Sequence, residues 1–170
     1  MSHNYIVRFL ELGLFAGIIL HSIQGIVLWR QNVASRPVSY ARNNHQRKSK
    51  WYSRSMGLLG TLVLLFLIMH LYHFWLKSKD ALYLQGDAEH NLYEEMQHVF
   101  SQPIFVLLYI IGLISLGFHL LHGFQSAFQT FGINHKKYTP FIKGLGVFYT
   151  IVIIILFALM PLSIYLNWLQ

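Results

Sequence analysis

The sequence predicts an all-α, polytopic membrane helix bundle with four transmembrane helices. Three observations carry that expectation. Apolar residues make up 55% of the 170-residue chain and charged residues only 11%, against roughly 25% charged in an average soluble domain. The mean hydropathy is +0.45. Four apolar stretches are each long enough to cross a hydrocarbon core, which takes about 20 residues of helix. A water-soluble globule could not cover its surface with so few charges while hiding this much Leu, Ile and Phe.

The first stretch runs from about Tyr5 to Leu28. Arg8 and Glu11 at its start, its length and the lack of a small-residue cleavage site separate it from a secretory signal. The second covers residues 56–76, the third 104–131 and the fourth 145–166. Pro103 stands just before the third, where a helix start tolerates it. Pro161 lies near the end of the fourth, where a kink is cheap. The whole chain reads as a single transmembrane domain. Between the second and third spans, Asp80–His98 reads as an amphipathic segment at the membrane surface, with Glu94 and Glu95.

Charge predicts the topology, because loops rich in Lys and Arg stay cytoplasmic. Arg30, Arg36, Arg42, Arg47, Lys48, Lys50 and Arg54 fall between the first two spans, with no acid among them. Lys136, Lys137 and Lys143 follow the third span, on the same side. The other side holds Arg8, Lys77, Lys79 and all six acids. The expected location is the cell inner (cytoplasmic) membrane, with the basic loops cytoplasmic, against lipid headgroups or a soluble partner. Topology accounts for the pI of 9.7, so no nucleic acid is expected as a partner. This orientation places the N-terminus outside with few residues before the first span, and so predicts either a short tail that crosses by itself or an upstream helix.

There is no cysteine, which excludes disulfides, thiolate metal sites and iron–sulfur clusters within the chain. Histidine is the conspicuous ligand chemistry, and five of the ten lie within spans: His21, His70, His73, His119 and His122. An ionisable residue at membrane depth is costly and by default points to function. One such histidine is commonly a hydrogen-bonded packing residue; five on three helices weaken that explanation. From the helix rise, His21 lies about 13 Å and His122 about 15 Å from the cytoplasmic ends of their helices. A matched pair on two helices suits bis-histidine haem ligation. His70 falls in the outer half, His73 one turn further out and His119 between the two levels.

Small residues surround the pair. Gly13, Gly17, His21 and Gly25 recur every four residues, and Gly112, Ser115, His119, His122, Gly123 and Ser126 mark the third span. Such stripes serve helix packing as readily as a cofactor slot. The spans hold no deep carboxylate, which argues against zinc hydrolysis, a di-iron site and a Ser/His/Asp triad.

The stretches Leu20-His21-Ser22-Ile23-Gln24-Gly25-Ile26-Val27-Leu28-Trp29-Arg30, Met69-His70-Leu71-Tyr72 and Leu121-His122-Gly123-Phe124-Gln125-Ser126 resemble the succinate dehydrogenase/fumarate reductase cytochrome b subunits of the single-chain, di-haem type. The family pattern has five helices, and this chain resembles it without the first. The resemblance implies His21 and His122 as axial ligands of the haem b nearer the soluble subunits. It implies His70 as one ligand of a more distant haem, whose second ligand belongs to the family's first helix. His119 or His73 are the local substitutes. Arg30 and Arg54, with Ser53, Gln24 and Gln125, are candidates for haem propionates or quinone. The implied partners are a flavoprotein subunit and an iron–sulfur subunit on the cytoplasmic side, and the implied substrate is a membrane quinone, menaquinone foremost. The implied role is electron transfer and anchoring, with no succinate chemistry in this chain. Another quinone-linked cytochrome b, or a haem-free anchor, is the alternative.

Overall fold

In a computed structural model of the chain, residues 4–35, 51–83, 91–133 and 135–168 are described. All regular elements among them are helical. They are α1 (Tyr5–Ala34), α2 (Trp51–Arg54), α3 (Met56–His70), a π-helical stretch Leu71–Leu76, α4 (Lys77–Tyr83), α5 (Leu92–Phe100), α6 (Pro103–Thr130) and α7 (Thr139–Tyr165). α3, the π stretch and α4 form one continuous rod. Four rods are long and apolar enough to cross a membrane: Tyr5–Ala34, Met56–Tyr83, Pro103–Thr130 and Thr139–Tyr165. This is the expected all-α membrane bundle.

The rods outrun the apolar stretches. α1 continues six residues past Leu28, and α7 begins at Thr139, because a helix leaving hydrocarbon keeps satisfying its own backbone while its charged side chains reach headgroups. Ends are made by local chemistry. The Asn4 side chain accepts from the Ile6 N–H at 2.9 Å and so caps α1. Pro103 opens α6 in its first turn. Gly132, at φ +76°, closes α6, and the Ile133 N–H reaches back to the Phe128 carbonyl at 3.0 Å.

The chain divides into two compact units, Met1–Gly60 and Thr61–Gln170. In the first, no residue of α1 is buried. The Trp29 indole lies where a Cβ on Gly57 would fall, at 2.4 Å, so the ends of α1 and α3 meet there and carry Arg30 and Arg54 at the same end. The basic loop positions Arg36, Arg42, Arg47, Lys48 and Lys50 lie outside the described residues.

In the second unit α6 and α7 are antiparallel neighbours held by small residues. A Cβ on Gly146 would stand 2.6 Å from Phe124, and one on Gly117 would stand 3.3 Å from Ile154. Thr150 is buried and donates to the Gly146 carbonyl at 2.8 Å. α5 is the expected amphipathic segment, though residues 84–90 of that segment lie outside the described residues. Its buried Val99 and Phe100 join Val106 and Tyr109 in the core cluster. Lys77 and Glu95 form a salt bridge that ties α4 to α5. Pro161 is inside α7, buried, one turn from its end.

Gly112 marks a close approach between the second and third rods: a Cβ there would overlap the Phe66 side chain, including its Cβ. Gly112→Ala is expected to lower stability by about 1–3 kcal/mol through overpacking, measured as a melting shift of the detergent-purified protein. Gly144→Ala, at a position open to 4 Å, is expected to stay within about 0.5 kcal/mol of wild type.

Candidate functional site: histidines at membrane depth

The end of the second unit where α4, α5 and the start of α6 meet is organised around Tyr109, which is 4% exposed. Its ring meets those of Phe66 at 5.4 Å, Phe100 at 4.9 Å, His70 at 6.1 Å, His73 at 6.1 Å and Phe74 at 6.3 Å. Its hydroxyl shares a 3.2 Å hydrogen bond with His73 Nδ1. His73 is 6% exposed, and Phe105 stands edge-on to it at 4.7 Å. An apolar interior leaves a hydroxyl and an imidazole few partners, and each supplies the other's.

His70 is placed differently. It is exposed, so in a membrane its imidazole faces outward from the unit. One flank is walled by Phe66, stacked at 6.0 Å and 29°, by Phe74 at 5.2 Å and by Tyr109. Two histidines three residues apart thus receive separate roles. His73 is held by a partner, and His70 is presented from an aromatic wall.

The register between the rods decides the fate of His119. Phe66 faces Gly112 and His73 faces Phe105, so His70 is level with Leu108. From Leu108 to His119 the helix rises about 16 Å. The expectation that His119 comes near enough to pair with His70 fails on that distance. His119 is half-buried, with its Nδ1 atom shielded from solvent and interactions of its own.

His122 is half-buried one turn beyond, where its Nε2 lies 3.3 Å from Ser126 Oγ. Ser126 can thereby orient the His122 ring, as the second nitrogen of a histidine ligand is commonly held. His21 is exposed on α1. A Cβ at Gly13, Gly17 or Gly25 would meet nothing within 4 Å, and the same holds at Gly123. These glycines leave flat, open helix surface beside His21 and His122. Gly112 and Ser115, by contrast, are buried in packing, which removes these two positions of the third-span stripe from a cofactor slot.

The donor set fits a haem iron: imidazoles in apolar spans, without thiolate. Among the described residues no three His, Asp or Glu side chains converge as a metal cluster. Arg30 and Arg54 are exposed and Ser53 half-buried at the shared end of α1 and α3, while Gln24 is exposed on α1. Gln125 borders a crevice of about 10 Å³ with Phe128 and Lys143, room for about one water and not for a quinone ring. A larger open hollow of about 460 Å³ lies along the π stretch and α4, lined by Tyr72, Leu76, Lys77, Lys79, Asp80 and Tyr83.

Comparison with family models, with curated proteins and with solved structures finds no match for this chain.

Tyr109 and the π stretch are absent from the sequence expectation. The signal for Tyr109 is a phenol seven residues into an apolar span, which needs a polar partner there. Tyr109→Phe keeps the ring and leaves His73 Nδ1 without its hydrogen bond. It is expected to lower stability by about 1–3 kcal/mol, read by thermal unfolding in detergent.

Proposed function

We propose that this chain is a haem b membrane subunit of a succinate:quinone oxidoreductase of the succinate dehydrogenase/fumarate reductase kind. In this role it anchors a flavoprotein and an iron–sulfur subunit and carries electrons between them and membrane quinone. The observation that carries the reading is the set of five histidines at membrane depth on three spans, free of cysteine and of deep carboxylate. Such a set has the chemistry of axial haem ligation and lacks that of hydrolysis or thiolate redox work.

In this proposal His21 and His122 would hold the iron of an inner haem, and His70 would hold that of an outer one. Haem b supplies one-electron redox chemistry when bound. The chain's own residues do the rest. Gly13, Gly17, Gly25 and Gly123 keep side chains out of the way of a flat ring. Ser126 orients His122. Arg30 and Arg54, at one end of the first unit, offer charge to propionates at the membrane boundary. The apolar spans keep water from the iron and so set its potential. The hollow beside Tyr72 and Leu76 has the volume of a small-molecule site and is the place proposed for the quinone ring. The basic loops face the cytoplasmic subunits, and the membrane is the cell's inner one.

The test is haem content per chain, with a reduced-minus-oxidised spectrum, on the complex purified through this subunit. One or two haems b per chain are expected. His21→Ala and His122→Ala are each expected to remove the same haem, which takes about half the signal from a di-haem chain and all of it from a mono-haem one. A haem-free complex that keeps its subunits and its assembly refutes the cytochrome reading and leaves an anchor.

A further inference from the structure

The rod Met56–Tyr83 changes helical type directly after His70. Residues 71–76 are π-helical, a rare form that occurs mostly as short bulges within α-helices and frequently at functional sites. Its local cause is legible in burial. Going inward-facing residue by inward-facing residue, Phe66 is followed by His73 after seven residues, two α turns. The same step onward would bring Asp80 to the packed face. Instead Ala81 is the residue buried there, at 5% exposure. The wide turn inserts one residue of phase, so that Ala81 takes the packed position while Asp80 stays half-buried, and lets His73 and Phe74 both reach Tyr109. The Phe74 carbonyl, at the end of that turn, accepts from the Lys77 N–H and from Ser78 Oγ at 2.7 Å.

Three contacts pin the wide turn, and all pass through His73 or its neighbour: Nδ1 of His73 to the Tyr109 hydroxyl, its ring to Phe105, and Phe74 to Phe100 at 5.9 Å. The same Tyr109 and Phe74 rings wall His70. We propose that His73 is a positioning residue for His70: its hydrogen bond to Tyr109 holds the π turn in place, and the turn fixes the direction in which the His70 imidazole leaves the rod. The inference deepens the haem reading above, since a ligand imidazole needs a locked orientation. It assigns His73 away from iron, because its Nδ1 already has a partner and its ring is enclosed.

The chain has no cysteine, so an introduced pair carries the only spin labels. Labels at Tyr83 and Ile104, both exposed, report the phase of the rod beyond the turn. In the full chain purified in detergent apart from any partner subunit, His73→Leu is expected to shift the distance between these labels, because loss of the π turn rotates everything beyond it by about one residue, roughly 100°. His73→Asn, which keeps a polar atom at the δ position, is expected to restore the wild-type distance. In the same samples His73→Leu is expected to weaken outer-haem affinity about 10-fold and to move its reduction midpoint, and His73→Asn to reverse both. An unchanged label distance in His73→Leu overturns the positioning role whether or not haem is present. Loss of the outer haem with His73→Leu and not with His70→Ala also overturns it, by making His73 the ligand. A haem-free wild type refutes the haem reading alone, and the label distances still decide whether His73 sets the turn.

Discussion

A polar side chain in hydrocarbon has to find a partner, and the arrangement of this protein follows from where each one does. Water cannot satisfy an imidazole or a phenol at membrane depth, so an unsatisfied one costs of the order of a hydrogen bond or more. His73 and Tyr109 meet that constraint together. Their bond fixes the register of the second and third spans, gathers five aromatic and imidazole rings around one phenol, and accompanies a change of helical type. Thr150 and Ser115 meet it within their own helices, by donating to the carbonyls of Gly146 and Ile111. His21 and His70 are both exposed, on the outside of their units.

Packing uses the remaining small residues. Helices in lipid gain little from burying apolar surface against one another, so close approach and fit take over. Gly112, Gly117 and Gly146 each sit beneath a large side chain from a neighbouring helix. Gly13, Gly17, Gly25 and Gly123 do not. The division separates glycines spent on bundle packing from glycines that leave open surface beside a histidine. That second group is the one with room for a flat cofactor.

The spans, the place of Pro103 and the amphipathic helix before it were legible in the sequence, because each rests on local chemistry: apolar length, proline geometry, alternating polarity. The helical extensions to Ala34 and Tyr83 were not, since composition marks where hydrocarbon ends and says little about where backbone hydrogen bonding stops. Equal spacing of histidines made His70 and His73 look alike. One wide turn makes them different, and no local signal distinguishes Leu-Tyr-His-Phe-Trp-Leu as π rather than α. The small-residue stripe on the third span read as one feature, whereas Gly112 and Ser115 belong to packing and Gly123 does not. His119 failed as a partner for His70 because depth depends on the register between two rods, which Phe66 and Gly112 set across 46 positions of sequence.

Near-infrared magnetic circular dichroism of the oxidised complex tests the central claim most directly, because it reads the axial ligands of a low-spin haem. The account predicts a bis-histidine signature that His21→Ala and His122→Ala each diminish and His73→Asn leaves intact. A histidine–methionine signature, or bis-histidine haem indifferent to both His21 and His122, contradicts it.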